Sequence, residues 1–467
     1  MKLVMKFGGT SLDGGERIRD AAQLARNHSH SDEIVLVASA MAGVTDQLIE
    51  LAEKASEGSI DAVEKIVSSL KERHRSALNS AVKDREIRQK VSKYVETTMT
   101  ELEKSTMGVN VLRELTPRSK DRILSCGERL STPIVWGALM DIGVQSKYLT
   151  GGECGILTDD NFGDALPLME VTKLQVKEAL EPLLSSGIVP VITGYIASAQ
   201  SGEIITLGRG GSDFTATIVA SAIEADEVWI WSDVDGLMTA DPKIVPEARL
   251  LEEVSYAEAG EMAVFGAKAM HPRALEPSAE KRIAVRIRNT FNPQNMGTKI
   301  TEATKPNANQ IVKSVALVGD VATITVSGAS MVGRPGSAAR IFDVMGRNGV
   351  NILMISQSVS ESNISMVVKR GMVQRAVNSL EIALLGRGEV KEVVSEDDVN
   401  VVAVIGTGMK GTPGIAAKVF GAVASKGINV RMIAQGSSEL NISLVVKEID
   451  GQEAVRGIHS AFGLGKD

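Results

Sequence analysis

The length, composition and charge of this chain exclude several classes of protein. It has 467 residues, of which 43% are hydrophobic, so we expect more than one domain with ordinary cores. A net charge of −7 argues against nucleic acid or an anionic membrane as the main partner. The two cysteines, Cys126 and Cys154, are too few for a disulfide framework, and no apolar run is long enough to span a membrane. Together these features predict a cytoplasmic protein.

The first three hundred residues alternate strand and helix patterns. Apolar strands are predicted at residues 2–7, 34–39, 188–192, 204–207 and 228–231, with helices at 16–27, 173–184 and 214–223. Continuous apolar strands separated by helices predict an α/β fold with a mainly parallel sheet between helices, which binds ligands at the carboxyl ends of its strands. Residues 50–113 are charged and predict a helical insertion, and the polar stretch 297–310 predicts a linker.

The last third of the chain contains an internal repeat. The segment from Gly333 to Ser365 recurs from Gly411 to Ser443, and each copy alternates strand, helix and strand patterns. Two copies are too few for a solenoid, so we expect two small α+β domains that share one interface. The predicted boundaries are a first domain at 1–300 and the repeats at 301–395 and 396–467.

One motif in the second repeat imitates a dinucleotide-binding fingerprint. The segment from Gly406 to Gly411 fits G-x-G-x-x-G, but the first repeat has Ser330 in place of the middle glycine. Arg431 also stands where a ribose-binding acidic residue is expected. We therefore interpret this segment as a turn within the repeat.

The amino-terminal strand leads directly into a phosphate-binding type of segment. Lys6 ends the apolar run and is followed by Phe7, Gly8 and Gly9. Glycines let backbone N–H groups approach a ligand closely, and the lysine supplies a mobile positive charge. Because the pattern G-x-x-x-x-G-K-[ST] is absent, a phosphate-binding architecture other than the P-loop is indicated.

A second glycine-rich segment lies between a predicted strand and a predicted helix. It spans residues 207–213 and contains Arg209, Ser212 and Asp213. Ser212 or Asp213 could merely cap the helix, but a cap needs neither three glycines nor an arginine. We therefore favour an anion site, in which Arg209 grips a carboxylate and Asp213 orients a lysine or a metal-bound phosphate.

Other polar clusters are less specific on their own. Ser232 and Asp233 follow a strand, yet aspartates are common in turns for local reasons. Glu128 with Arg129 could be only a solvated helical pair, and His271 before a proline is interpreted as structural. Lys268 stands near a predicted helix start.

Taken together and in order, these motifs resemble the aspartate kinase family from end to end. The resemblance rests on residues 6–11, 39–41, 127–129, 208–213 and 265–272, and the paired repeats are similar to that family's tandem ACT domains. The resemblance implies an amino-acid-kinase fold followed by two ferredoxin-like ACT domains. It also implies transfer of the γ-phosphoryl group of ATP to the β-carboxylate of L-aspartate, with Mg²⁺ accompanying ATP.

The resemblance also implies roles for individual residues. Lys6 would neutralise the transferring phosphoryl group, and Asp213 would organise Lys6. Glu128 would hold the α-ammonium group of aspartate and Arg209 its α-carboxylate. Gly8 and Gly9 would donate backbone N–H groups to the phosphates of ATP. The other implied substrate residues are Ser39, Thr45 and Ser212, and the other implied ATP residues are Phe7, Ser232, Asp233, Lys243 and Lys268. Met238 and Lys243 stand where many relatives carry a tyrosine and an arginine.

This chemistry needs no strong general base, since a carboxylate is already a competent nucleophile. Positioning and charge neutralisation then dominate, which agrees with the absence of a recognisable Ser, His and Asp triad and of a dedicated metal-ligand set in the sequence.

The repeats indicate regulation by an amino acid bound between domains. The candidate effector residues are small polar groups and amides, namely Asn351, Gln357, Ser360, Asn363, Asn429, Gln435, Ser438 and Asn441. By resemblance the effector is threonine, or alternatively lysine. The same resemblance implies a homo-oligomer, a dimer or a tetramer, formed through the ACT domains.

Two alternatives remain open at this point. One is a kinase of the same fold that acts on another small carboxylate such as glutamate; the other is a non-catalytic amino-acid sensor. We expect a monofunctional enzyme, since too few residues follow the second repeat for a dehydrogenase.

Overall fold

The computed structural model describes residues 1–266, 270–302, 311–386 and 390–466. These residues form two compact units. The first comprises Met1–Leu237, Glu252–Tyr256 and residues 270–302, and the second comprises Met238–Leu251 and residues 257–266, 311–386 and 390–466. No helix among the described residues combines the length and the apolar character that crossing a membrane requires.

The first 302 residues alternate strands and helices. The strands are β1 (Lys2–Phe7), β2 (Glu33–Ala38), β3 (Ser146–Leu149), β4 (Leu157–Thr158), β5 (Val189–Thr193), β6 (Ile196–Ala199), β7 (Ile204–Thr206), β8 (Glu227–Ser232), β9 (Glu253–Ser255), β10 (Ala284–Asn289) and β11 (Thr298–Thr301). The helices are α1 (Gly15–Ser29), α2 (Val44–Ser56), α3 (Ile60–Ala81), α4 (Arg85–Leu112), α5 (Pro117–Leu124), α6 (Cys126–Asp141), α7 (Met169–Ser185), α8 (Gly211–Ile223), α9 (Tyr256–Val264) and α10 (Glu276–Lys281).

An eight-stranded sheet organises the first unit. Its order is β3-β5-β2-β1-β8-β10-β11-β9, and its neighbours pair in parallel except β10 with β11. The predicted mainly parallel α/β sheet is confirmed. A separate three-stranded sheet has the order β4-β6-β7, so the segment around Arg209 follows a strand of the small sheet and not of the large one.

Two sequence interpretations concern segments beside this sheet. Residues 50–113 form the end of α2 together with α3 and α4, and Leu70 and Leu102 from these helices are buried in the same core as Leu3 of β1. The linker interpretation of 297–310 is wrong in part, because Thr298–Thr301 is a strand of the large sheet. Residues 303–310 lie outside the described residues.

The second unit contains the two repeats. Its strands are β12 (Ser314–Ser327), β13 (Ile352–Gln357), β14 (Asn363–Lys369), β15 (Glu392–Ile405), β16 (Met432–Ala434) and β17 (Asn441–Lys447), and its further helices are α11 (Ser337–Arg347), α12 (Val373–Leu380), α13 (Ile415–Ala424) and α14 (Gly451–Ala461). The strands form one antiparallel sheet in the order β13-β14-β12-β15-β17-β16.

The repeats share their two longest strands. β12 and β15 pair along most of their length, and one half of each strand also pairs within each repeat: β12 pairs with β14 over residues 321–327, and β15 pairs with β17 over residues 399–405. The expectation of two small α+β domains that share one interface agrees with this arrangement, and the interface is a continuous sheet through β12 and β15. The boundary predicted between residues 395 and 396 falls inside β15.

The glycines of the fingerprint-like segment in the second repeat are explained by backbone packing. A Cβ built at Gly408, the middle glycine, would lie 2.8 Å from Cα of Ile311, and one at Gly406 would lie 2.4 Å from the Ile311 carbonyl oxygen. The glycines thus let another backbone segment pass closely. The interpretation as a turn within the repeat is confirmed, since Thr407–Met409 forms a single 3-10 turn.

Candidate active site

Two buried opposite charges mark the point where β1 ends and α8 begins. Lys6 Nζ lies 2.6 Å from Oδ1 of Asp213, and each residue is only 9% exposed. The contact is an ion pair, and among the described residues no group makes a hydrogen bond of regular geometry to Oδ1. Asp213 stands in the first turn of α8, where a carboxylate also complements the helix dipole. A buried lysine whose charge is already balanced can meet a further anion without a large rearrangement.

The glycines after β1 allow two loops to approach each other. A Cβ built at Gly9 would lie 2.9 Å from the Ala40 carbonyl oxygen, so only glycine fits beside the end of β2. The N–H of Gly8 donates to the carbonyl of Trp231 at 3.0 Å, which corrects the expectation that this group points at a phosphate. Gly9 begins a 3-10 turn, Gly9–Leu12, whose first N–H groups have no partner within the turn.

Phe7 belongs to the core and not to the surface of the site. Its ring is fully buried and lies parallel to the ring of Trp231, with the centroids 6.0 Å apart. Because alternate residues of a strand face opposite sides, Lys6 emerges on the face opposite to Phe7. A nucleotide would therefore meet only the backbone of Phe7.

Glu128 lies in the first turn of α6 and is 4% exposed. Burial raises its pKa from 4.5 to about 8, although backbone hydrogen bonds from Ala40 and Glu128, the Ser212 hydroxyl and the charge of Lys6 oppose the shift. The Ser212 hydroxyl donates to Oε1 at 3.5 Å, while Oε2 is buried and has no hydrogen-bond partner among the described residues. A buried, unpaired carboxylate oxygen is costly, and it is well suited to receive a cationic ligand group.

The neighbouring Arg129 makes a structural contact outside the site. Its guanidinium donates to Glu101 on α4 at 2.7 Å and is 12% exposed, so it attaches α6 to the helical insertion. The alternative that Glu128 and Arg129 form only a solvated helical pair is therefore excluded. The two side chains are both largely buried, and they face different partners.

Ser39 and Thr45 follow β2 on the other side of the β1 loop. The N–H of Ser39 donates to the Phe7 carbonyl at 3.2 Å, and the Ser131 hydroxyl of α6 donates to the Ser39 carbonyl at 2.6 Å. Ser39 is half-buried at the end of the strand, and Thr45 is half-buried as the second residue of α2. The backbone of Ser39 is thus fixed from both sides.

Arg209 stands on the loop between β7 and α8. Gly208 and Gly210 on either side of it both have φ of +72°, so the loop turns sharply and projects the arginine. Arg209 is exposed and forms no ion pair with any of the described residues. An unpaired guanidinium beside Ser212 is positioned to form a bidentate contact with a carboxylate.

Sequence reasoning missed a buried carboxylate that supports this loop. Asp121 on α5 accepts hydrogen bonds from the N–H and hydroxyl of Thr206, at 3.1 and 2.9 Å, and from the N–H of Gly163 at 3.0 Å. Burial raises the pKa of Asp121, and these hydrogen bonds oppose the shift. A single acidic residue within a helical pattern gives no signal in the sequence, because its partners are distant in the chain.

The proposed nucleotide residues are placed in different parts of the chain. Ser232 ends β8, next to β1, and its hydroxyl donates to Asp233 at 3.3 Å. Lys243 is an exposed residue of the second unit, and Met238 of the same unit pairs with Leu250. Lys268 lies outside the described residues.

Among the described residues no group of three or more His, Cys, Asp or Glu side chains forms a metal cage. Mg²⁺ in kinases is commonly held by substrate phosphates with one or two carboxylates, so a dedicated cage is not needed. Near Lys6, the Asp213 carboxylate is a candidate ligand of this kind, and its Oδ1 already faces the Lys6 ammonium group at 2.6 Å.

The candidate effector residues divide into two groups. Those exposed are Asn351, Gln357, Ser360, Asn429, Gln435 and Ser438, and those half-buried are Asn363 and Asn441. Gln357 lines a cleft of about 310 Å³ together with the glycine and proline turn of residues 333–336. In the second repeat Asn441 is already engaged, because its side-chain amide donates to Glu261.

Comparisons with known proteins agree with this arrangement. Residues 1–289 match the model of the amino acid kinase family, and residues 324–384 and 402–462 each match an ACT domain. The chain thus belongs to the amino acid kinase family, with two ACT repeats after the kinase region.

Closer relatives narrow the assignment. Aspartokinase 2, chloroplastic, of Arabidopsis thaliana is 34% identical over 470 residues, which cover 98% of this chain and 84% of the relative. The structures of E. coli aspartokinase III in complex with aspartate and ADP (R-state) and with lysine and aspartate (T-state) are each 26% identical, with TM-scores of 0.83 and 0.81. The first covers 99% of both chains, and the second covers 98% of this chain and 99% of its own. This chain belongs to the aspartokinases, and its reaction is phosphoryl transfer to the carboxyl group of aspartate.

Proposed function

We propose that Lys6 and Asp213 form the centre at which the γ-phosphoryl group of ATP passes to the β-carboxylate of L-aspartate. The observation that supports this role is the buried ion pair at 2.6 Å. Both reactants are anions, so the barrier rises with the negative charge brought together. Lys6 offsets that charge, and Asp213 holds its ammonium group at the carboxyl end of β1.

We infer that aspartate is held between two groups of side chains. Glu128 takes its α-ammonium group, because Oε2 is buried and unpartnered, and Arg209 takes its α-carboxylate. Ser39, Thr45 and Ser212 surround the same ligand. A substrate with both charges therefore satisfies two groups that are otherwise unpaired.

The nucleotide is proposed to lie over the β1 and β8 loops. Gly8 and Gly9 provide a close backbone approach, Gly9 donates an N–H group, and Ser232 and Asp233 border the phosphates. Lys243 and Lys268 are assigned to the nucleotide by family resemblance alone. Mg²⁺ bound with ATP would add positive charge on the phosphates, with Asp213 or Asp233 as carboxylate ligands.

Regulation is proposed to act through the repeats. An amino-acid effector, threonine or lysine, would bind the polar residues of the first repeat around Gln357 and would have to favour one state of the enzyme over another. A homo-oligomer formed through the ACT domains and a cytoplasmic location remain part of this proposal. Titration with each amino acid, size measurement in solution and cell fractionation test these three points.

The acceptor is tested with purified enzyme, Mg²⁺ and ATP, by trapping the acyl phosphate with hydroxylamine. We expect hydroxamate formation with L-aspartate and at least about 100-fold less with L-glutamate, since an extra methylene displaces the reacting carboxylate. Turnover on glutamate alone would favour the sister-kinase alternative. Absence of turnover with either, despite ATP binding, would favour the sensor.

A further inference from the structure

Tyr195 adopts a backbone conformation that a tyrosine rarely occupies. It follows Gly194 in the turn between β5 and β6, and its φ is +68°. A left-handed conformation is costly for a bulky residue and persists only where the surroundings fix it. No role for Tyr195 follows from the motifs of the sequence, so the strain itself requires an explanation.

The backbone of Tyr195 connects both ends of the loop that carries Arg209. Its carbonyl accepts from the N–H of Leu207, which ends the strand side of the loop, at 2.9 Å. Its N–H donates to the hydroxyl of Thr215 at 3.1 Å, and that hydroxyl donates to the Gly211 carbonyl at 2.9 Å. Tyr195 thus bonds directly to the residue before loop residues 208–210 and, through Thr215, to the residue after them, in addition to the bond from the Gly211 N–H to the Gly208 carbonyl at 3.0 Å that closes the loop itself.

The packing around this turn leaves no room for a side chain at Gly194 or at Gly211. A Cβ built at Gly211 would lie 2.6 Å from Cδ2 of Tyr195, so the ring packs directly on the start of α8. A Cβ at Gly194 would lie 2.7 Å from Oγ of Ser212. The N–H of Gly194 in turn donates to the carbonyl of Ala38 at 2.9 Å, immediately before Ser39. The turn therefore contacts both halves of the proposed aspartate site.

We propose that Tyr195 is a positioning residue that sets the height and direction of Arg209 and Ser212 relative to Ser39. Its left-handed backbone directs the carbonyl toward Leu207, before the loop, and the N–H toward Thr215, after it. Its ring packs on Gly211 at the start of α8. The inference rests on the proposed contacts of Arg209 and Ser212 with aspartate. Tyr195 acts through that loop and does not touch the reacting atoms.

The phenol group itself has a smaller part. Burial raises the pKa of Tyr195 to about 12, a hydrogen bond with Thr206 opposes the shift, and the carboxylates of Glu128 and Asp121 add to it. The hydroxyl therefore stays protonated at neutral pH. Because the ring and the backbone make the loop contacts, we expect Phe to replace Tyr with little loss.

The test compares Tyr195→Ala, Tyr195→Gly and Tyr195→Phe in the full-length enzyme, by steady-state kinetics with aspartate and ATP varied separately. We expect Tyr195→Ala to raise the KM for aspartate about tenfold and the KM for ATP less than twofold, because only the aspartate loop loses its support. Tyr195→Phe should stay within about threefold of the parent. Tyr195→Gly should raise the aspartate KM as Ala does but melt at a higher temperature than Ala, since glycine relieves the left-handed strain.

Hydrogen exchange supplies a readout that does not depend on turnover. Tyr195→Ala should speed amide exchange across residues 204–216. The matched control is Tyr256→Ala, which removes a side chain whose hydroxyl donates to the Ile283 carbonyl, and it should leave that segment protected. Equal rises in both KM values, or unchanged exchange in this segment, would overturn the proposal. If the parent enzyme does not phosphorylate aspartate, the proposed function fails, while the exchange result still decides whether Tyr195 supports the loop.

Discussion

The two glycine-rich loops of the kinase region solve different problems. The first loop follows β1, a central strand of the large sheet, and Lys6 near the end of that strand has a buried charge that is paired with Asp213. The loop after β7 extends from the small sheet and carries Arg209, which is exposed and unpaired among the described residues. The charge of Lys6 is therefore balanced without a ligand, whereas the charge of Arg209 is available to a ligand.

This difference follows from the chemistry of each end of the reaction. Charge that develops during transfer is best met by a group already fixed and desolvated, because reorganisation during the reaction would add to the barrier. A substrate carboxylate that must enter and leave is better met by an exposed guanidinium on a supported loop. We therefore expect mutations in the first loop to lower kcat and those in the second to raise the KM for aspartate.

The largest expected effect is that of Lys6→Ala. Loss of the ammonium group should lower kcat at least about 1000-fold, because it removes a preorganised charge from the transferring phosphoryl group. Stopped-assay hydroxamate formation measures the change, and Lys65→Ala, at an exposed lysine on α3, serves as the control. Phosphoryl transfer at the parental rate in Lys6→Ala would contradict the role of Lys6 and the contrast between the loops.

Arg209→Ala tests the other loop. We expect the KM for aspartate to rise about 50-fold, which is the loss of a charge-assisted bidentate contact, with less than a twofold change in the KM for ATP. The melting temperature should not change, since Arg209 is exposed. Arg209→Lys should recover only part of the affinity, because lysine cannot make two parallel hydrogen bonds. An effect on kcat alone would remove the distinction between the loops.

The pKa of Glu128 gives a pH prediction. Because burial raises it to about 8, the free enzyme holds this carboxyl neutral at pH 7, whereas its proposed contact with the substrate ammonium group requires it ionised. The value of kcat/KM for aspartate should therefore rise about tenfold per pH unit until about pH 8. In Glu128→Gln it should be lower and should not depend on pH in this range.

The same shift has a consequence for stability with the opposite sign. The folded state binds the Glu128 proton more tightly than the unfolded state does, because burial raises the pKa from 4.5 to about 8. The contribution of this proton to the free energy of unfolding is therefore complete below about pH 4.5 and is lost as pH rises through about 8. Thermal melting without ligand should show the parent losing stability relative to Glu128→Gln over this interval. A constant difference between the two proteins would place the pKa of Glu128 near its ordinary value.

The smallest expected effect is that of Asp121→Asn. The amide that replaces one carboxylate oxygen would oppose the N–H donors of Thr206 and Gly163, so the Arg209 loop would lose part of its support. We expect the KM for aspartate to rise about fivefold, less than in Arg209→Ala, because Asp121 acts at one remove. Asp61→Asn, an exposed site in the first turn of α3, is the matched control. An effect as large as that of Arg209→Ala would give Asp121 a direct role.

The sequence predicts the part of the site that lies on short motifs. Lys6 and Asp213 stand beside glycines at strand and helix ends, which composition and spacing reveal even though the two segments follow strands of different sheets. Asp121 and Tyr195 could not be found this way, because their importance comes from hydrogen bonds to residues far away in the chain and from one unusual φ value. The burial of the Phe7 ring likewise could not be found from the motif, because the motif does not show which face of β1 this residue occupies.

The fold shows the same limit. Apolar runs predict β1, β2, β5 and β8 within one or two residues, because buried strands must be continuous and apolar. They do not show that β7 belongs to a separate sheet, since strand partners are set by contacts between distant segments. The repeat predicts two similar units, but periodicity alone cannot show that they exchange halves of their long strands.

Sharing β12 and β15 makes the two repeats one cooperative body. Neither repeat has a full set of strands without the other. In a chain divided between residues 395 and 396, residues 314–318 of β12 would lose their partner in β15, and residues 399–405 of β15 would keep only β17. A ligand that stabilises the first repeat must stabilise the second by the same free energy when the sheet unfolds as a whole. An effector bound to the first repeat therefore also raises the free energy needed to unfold the second repeat, although the two are far apart in the chain.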